Sequence, residues 1–155
     1  MEKRVFIAIT LPAKTREAIQ QIQRKLKKFD WPVRWELPDK WHITVRWLGS
    51  ITSEELSQVQ DIVSATAAQY KPLPISIQDF VVLPSFEVPR VICLNLPTSP
   101  TLRNFTADIN TAIDAHGIGE PMRHPAANHI TLGRMQPVRV NFRALTKLHF
   151  EHSFT

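Results

Sequence analysis

The feature that most limits how this chain can fold is an internal repeat. A strand, a Leu-Pro step, an amphipathic helix, a proline-containing loop and a second strand follow one another from Val5 to His42, and the same succession runs again from Val91 to His129. The two spans differ by one residue, 37 positions against 38, and Leu11-Pro12 and Leu96-Pro97 fall at matching places after the opening strands. Such a chain predicts two similar halves that face each other across a pseudo-symmetric cleft.

The individual elements follow from periodicity. Arg4 to Thr10 alternate as a strand, and Ile19, Ile22, Leu26 and Phe29 mark the buried stripe of the helix after it. Trp41 to Leu48 read as a strand that ends at Gly49. Thr52 and Glu55 form a capping box that opens a helix bearing Leu56, Val59 and Val63 and running to near Tyr70. Leu73 to Val82 and Arg90 to Leu96 read as two strands around a loop holding Pro84 and Pro89. Ser99-Pro100 suits the N-cap and first position of a third helix, with Leu102, Phe105, Ile109 and Ile113 inside and Gly117 as its stop. Asn128 to Met135 complete the repeat as a strand, Asn141 to Lys147 read as a turn or two of helix, and His149 to Phe154 as a short last strand.

Composition sets the outer limits. The 155 residues, 43% hydrophobic and 21% charged, suit one globular domain over 1–155 with repeat units at about 4–49 and 90–135, and exclude a large multidomain enzyme or a disordered chain. Val5 to Ile9, the apolar run near the start, falls far short of the roughly 20 residues of a membrane span, so no membrane partner is expected. Cys93 is the only cysteine, which excludes an intrachain disulfide and fits a reducing, cytoplasmic setting. A monomer is expected. With 19 Lys and Arg against 14 Asp and Glu, the net charge of +5 favours a polyanionic partner without singling one out.

Chemistry enters with a tetrapeptide that closes each repeat. His42-Ile43-Thr44-Val45 and His129-Ile130-Thr131-Leu132 share the pattern His-apolar-Thr-apolar. Composition alone gives about 0.08 such matches per chain of this length, so two, each at the end of an equivalent unit, argue for a functional pair. In a strand His42 and Thr44 share one face while Ile43 and Val45 face the core, and the same holds for His129 and Thr131. Two imidazoles with ordinary pKa values near 6.5 can hold one neutral and one protonated member, a base and an acid for in-line displacement at phosphorus. Threonine hydroxyls beside them suit the non-bridging phosphate oxygens. Strict alternation puts Arg46 on the face of His42 and Arg134 on the opposite face, from which a bulge after Gly133 would return it.

Read in their contexts, Trp41-His42-Ile43-Thr44-Val45-Arg46-Trp47-Leu48-Gly49 and Asn128-His129-Ile130-Thr131-Leu132-Gly133-Arg134, the motifs resemble the 2H phosphoesterase superfamily. Within it the chain is most similar to the bacterial and archaeal RNA 2',3'-cyclic phosphodiesterases, also called 2'-5' RNA ligases, over residues 4 to 135, including the stretch Phe86 to Leu96. The resemblance implies an α+β fold, bilobal and pseudo-symmetric, with two mainly antiparallel sheets flanked by helices around a central cleft. It implies hydrolysis of a terminal 2',3'-cyclic phosphate to a 2'-phosphomonoester, with reversible 2'-5' ligation alongside. No metal or other cofactor is implied, and the substrates are RNA ends or nucleotide 2',3'-cyclic phosphates. His42 is then the proton donor to the leaving 3' oxygen and His129 the acceptor that activates water. Thr44 and Thr131, with Arg46 and Arg134, form the phosphate-binding set; Arg134 matches a family position that is often basic. Family members continue with a further strand and a basic or tyrosine-containing tail, so the C-terminus at Thr155 is short relative to them.

Other residues receive plainer readings. Trp41 and Trp47 fall opposite His42 by alternation and belong to the core, leaving Trp31 and Trp35 as candidates for stacking on bases. His124, and His149 with His152, lack acidic or cysteine partners at metal-binding spacing and are incidental. His116 suits a helix C-terminus, and Cys93 a buried strand. The competing function is a non-catalytic module that holds phosphorylated RNA ends in a basic cleft. A histidine-triad nucleotide hydrolase would need histidines where Thr44 and Thr131 stand.

Overall fold

The computed structural model describes residues 1–97, 99–123, 129–136 and 138–155. The first repeat supplies β1 (Glu2–Thr10), α1 (Ala13–Lys27), a two-residue β2 (Arg34–Trp35) and β3 (His42–Thr52). After α2 (Ser53–Ala67), β4 (Ile75–Gln78) and β5 (Phe80–Pro84), the second repeat supplies β6 (Pro89–Asn95), α3 (Pro100–Ala115) and β7 (His129–Arg134), and β8 (Glu151–Phe154) ends the chain. The capping box forms as expected: the Glu55 N–H donates to the Thr52 hydroxyl at 3.2 Å, and the Thr52 N–H donates to the Glu55 carboxylate at 2.7 Å. At α3 the Leu102 N–H donates to the Ser99 hydroxyl at 3.1 Å, with Pro100 in the first turn.

The α+β class and the antiparallel pairing are as the sequence implies, with two sheets of unequal size. The larger runs β1-β3-β7-β6-β5, with β2 also on β7; the smaller joins β4 to β8. The two halves meet inside the large sheet, where β3 and β7 pair antiparallel at Ile43 and Ile130. A pseudo-twofold axis through that pair carries β1 and β3 onto β6 and β7. The cross-strand registers agree residue by residue: Thr10, Ile9 and Ala8 face His42, Ile43 and Thr44, and Asn95, Leu94 and Cys93 face His129, Ile130 and Thr131.

Beneath the sheet the helices are exchanged between the halves. Ile19 and Leu26 of α1 share a core with Ile92, Leu94, Ile130 and Leu132 of the second repeat. Ile109 and Ile113 of α3 share another with Val45, Leu48 and Ile51 of the first, closed by Val59 of α2. Each fully buried aliphatic side chain contributes about 1.5–3 kcal/mol, so both crossings are held chiefly by apolar burial. Among the described residues no helix is long and apolar enough to cross a membrane.

The strands differ from the sequence reading at three places. Pro84 and Pro89, read as loop residues, end β5 and open β6 and face each other across the pair. The expected strand from Leu73 to Val82 is broken at Asp79, where φ is +56°, so that β4 and β5 lie in different sheets. Asp is among the few side chains that tolerate a left-handed backbone, and the Asp79 carboxylate accepts from the distant Phe150 N–H at 3.1 Å. β3 also continues past Gly49 to Thr52, because Gly49 adopts φ +73° in a bulge rather than a strand end.

Candidate active site

The site is assembled by strand register. Because Ile43 faces Ile130, antiparallel pairing sets His42 across from Thr131 and Thr44 across from His129. The row Thr10, His42, Thr131, Cys93 and the row Ala8, Thr44, His129, Asn95 therefore run side by side across four strands. Diagonal cross-strand neighbours stand about 7–8 Å apart, somewhat less at their Cβ atoms, so His42 and His129 are diagonal neighbours on the same stretch of sheet. A cleft of about 640 Å³ opens over these rows, and His42, Thr44, His129, Thr131 and Arg134 all line it.

Immediately after each threonine both motif strands carry a bulge. Ala8 faces Thr44 but Ile7 faces Arg46, leaving Val45 extra; Cys93 faces Thr131 but Ile92 faces Gly133, leaving Leu132 extra. An extra residue reverses the alternation beyond it. Burial repeats accordingly, half-buried at His and Thr, buried at the next two positions, exposed at the sixth.

The bulges correct the sequence reading of Arg46 and Trp47 and bring Arg134 to the cleft face. Arg46 is turned away from the cleft and is 1% exposed, so it is no phosphate ligand. Its Nη atoms donate to Asn110 at 3.2 Å, to the Asp114 carboxylate at 2.7 Å and to the Glu120 carbonyl at 3.1 Å, tying β3 to α3 and the loop after it. Trp47, assigned to the core, is 42% exposed and stacks at 6.1 Å on Phe6, whose ring lies 4.8 Å from that of His42. Arg134 is brought into the cleft, where it pairs with Glu36 at 3.4 Å.

Hydrogen bonding fixes the orientation of the His42 ring. Its Nδ1–H donates to the Lys40 carbonyl at 2.7 Å, since a carbonyl can only accept. The other ring nitrogen, Nε2, lies 3.1 Å from the Thr44 hydroxyl. His129 is biased toward neutrality: burial first, then the Arg134 charge and that of His42, hold its pKa below the ordinary value. The Thr131 hydroxyl is hydrogen-bonded to Cys93, whose buried thiol is pushed up to about 11 and stays protonated. The two rings thus sit in unlike surroundings, His129 half-buried beside Arg134 and His42 held through Nδ1 by a backbone carbonyl.

Several cleft residues escape the sequence reading. Phe6, Ala8 and Thr10 line the floor, as the alternation of β1 indicates once its neighbour is known. Arg16 and Lys40 add positive charge, Glu36 and Asp39 negative. Trp41 is buried as expected and touches the cleft. Trp31 stacks on Phe29 at 4.9 Å and Trp35 packs against the first core, so neither is a cleft residue. His116 donates from Nδ1 to the Ala112 carbonyl at 2.8 Å, His152 bonds Thr15 at 2.9 Å, and His149 lies 3.5 Å from Asp79. His124 lies outside the described residues. Among the described residues no group of three or more His, Cys, Asp or Glu is placed to hold a metal ion.

Comparisons with known proteins agree with this geometry. The LigT-like phosphoesterase family model matches residues 9–93, a span that includes the first motif. An RNA 2',3'-cyclic phosphodiesterase of Methanothermobacter thermautotrophicus is 27% identical over 141 residues, covering 90% of this chain and 74% of the relative. One from Archaeoglobus fulgidus is 22% identical over 151 residues, covering 97% and 83%. Among solved structures, TT0787 of Thermus thermophilus aligns with a TM-score of 0.78 at 22% identity over 98% of this chain and 82% of that one. Escherichia coli LigT complexed with 3'-AMP aligns with a TM-score of 0.66 at 23% identity over 92% and 78%. At these identities the structures establish a common fold.

Proposed function

This chain belongs to the LigT-like phosphoesterase family, and on that premise we propose that it hydrolyses the terminal 2',3'-cyclic phosphate of RNA to a 2'-phosphomonoester by paired histidine acid and base catalysis. The observation that carries the reading is the crossed arrangement of two His/Thr pairs over one cleft, with the pKa of His129 lowered by burial and by the neighbouring charges. Neutral His129 takes a proton from water as its oxygen attacks phosphorus. The bond from phosphorus to the 3' oxygen breaks, and that oxygen takes a proton from Nε2 of protonated His42. Thr44, Thr131 and Arg134 hold the non-bridging oxygens as negative charge develops on them. Run in the same direction with the 5' hydroxyl of a second RNA end in place of water, these steps form a 2'-5' linkage, the 3' oxygen again leaving with the proton from His42.

Every proton transfer and every charge in this scheme is met by side chains, so no metal ion takes part. The test is turnover of a nucleoside 2',3'-cyclic phosphate in EDTA by the wild type, His42→Ala and His129→Ala. Undiminished wild-type activity in chelator, a 2'-phosphate product and a loss of about 10²–10⁴-fold in each variant are expected. Abolition by chelator, or full activity in either variant, overturns the scheme. Salt-sensitive RNA binding with no turnover would favour an RNA-end-binding module instead.

A further inference from the structure

One cleft cation has no part in the chemistry just described. Arg16, in the opening turn of α1, lines the cleft beside Thr10, the residue that faces His42 from β1. It is half-buried, and its Nε–H donates to the Leu11 carbonyl at 3.1 Å, which fixes the plane of the guanidinium. Among the described residues no carboxylate pairs with it. Arg134, the other cleft arginine, is paired with Glu36. A guanidinium that gives up part of its hydration without gaining a carboxylate is a poor structural element, and its remaining N–H groups form a fork suited to phosphate.

We propose that Arg16 binds a second phosphate of the substrate, the one on the 5' oxygen of the nucleoside that bears the cyclic phosphate. The inference rests on the cyclic-phosphodiesterase reading of the cleft. In that scheme the leaving 3' oxygen belongs to the nucleoside and takes its proton from His42, so the nucleoside lies on the His42 side. Its 5' substituent then extends away from His129 along the row that leads through His42 and Thr10 to Arg16. Lys40, whose carbonyl holds His42, lines the same cleft and adds positive charge there. An RNA end or a 5'-phosphorylated nucleotide is accordingly a better substrate than a bare nucleoside 2',3'-cyclic phosphate.

The experiment compares kcat/KM for a nucleoside 2',3'-cyclic phosphate with and without a 5'-phosphate, in the wild type, Arg16→Gln and Arg16→Lys. The expected wild-type preference for the phosphorylated substrate is about tenfold, a charge-assisted contact. It falls to near unity in Arg16→Gln and is partly restored in Arg16→Lys. An unchanged ratio, or equal loss on both substrates, overturns the inference. A calorimetric arm uses the unreactive pair nucleoside 3'-phosphate and nucleoside 3',5'-bisphosphate. A gain in affinity from the 5'-phosphate that vanishes in Arg16→Gln upholds the contact even if neither cyclic substrate turns over, a result that would sink the catalytic reading alone. Absence of that gain in the wild type sinks the Arg16 assignment.

Discussion

The two halves of the cleft share a backbone and divide the labour of their side chains. From the first residue of each motif to the sixth, burial is the same at every position and the bulge falls at the same place. What the bulge turns inward and outward has diverged. In the first half it buries Arg46 and exposes Trp47; in the second it buries Gly133 and exposes Arg134. Gln23 and Asn110, each buried and each 19 residues before its histidine, show the same divergence one layer down. The Gln23 amide donates directly to the carbonyl of the bulged Leu132 at 3.3 Å and to that of Glu36 at 3.0 Å, whereas Asn110 accepts from the Arg46 guanidinium. Gly133 leaves room for Val33 and Trp35 to press against β7, where an added Cβ would lie 2.4 Å from Val33. One repeat thus buries its arginine as a latch and the other turns one into the cleft.

The halves should be most alike when their histidines are removed. His42→Ala and His129→Ala are each expected to cost about 10²–10⁴ in kcat, roughly 3–5.5 kcal/mol, and the double variant far less than the product of the two. A double variant that loses the full product would mean that the rings act independently.

The latch and its counterpart test the divergence through stability. Arg46→Met leaves the Asn110 and Glu120 oxygens without their donor, although Asp114 is well exposed and regains water. A loss of about 2–3 kcal/mol in urea unfolding is expected. Gly133→Ala forces Val33 to move and is expected to cost about 1–3 kcal/mol by the same measurement. Equal tolerance of both substitutions would show that the two bulges are not differently braced.

Arg134→Gln should then act on catalysis rather than folding. Loss of a phosphate contact lowers kcat/KM by about tenfold or more. The positive charge of Arg134 opposes protonation of His129, so removing it raises the pKa of that ring. The acidic limb of the pH–rate profile is therefore expected to move to higher pH, and a limb that stays put or moves down contradicts the assignment of His129 as base. The smallest effect is expected at Cys93, where the second half departs from Ala8 of the first. Cys93→Ala should cost about 1 kcal/mol and leave most of kcat. In the folded protein the buried, protonated thiol should resist thiol reagents at pH 8 and react only on unfolding.

How far the sequence reaches follows from which of these features have a signature in residue types. His42 and His129 are legible because alternation is reliable over the three residues from His to Thr, and the helices because their apolar stripes and the Thr52/Glu55 box are strong local signals. The bulges are not, because Val45 and Leu132 look like ordinary core residues of a strand. The unmarked bulge at Val45 reverses the predicted faces of Arg46 and Trp47, whereas Arg134 is recovered by allowing for a bulge near Gly133. Gly49 does carry a signal, which reads as a strand end where it marks a bulge. Arg16 and Phe6 are beyond reach, since their place in the cleft depends on which strand lies beside which.

The exchange of helices between the repeats has a consequence for any attempt to divide the molecule. Cleaving the peptide between β5 and β6 would not release two smaller folded units. The first fragment would lose Ile109 and Ile113 of α3 from over Val45 and Leu48, and the second would lose Ile19 and Leu26 of α1 from over Ile92, Ile130 and Leu132, opening both cores to water until the fragments found each other again.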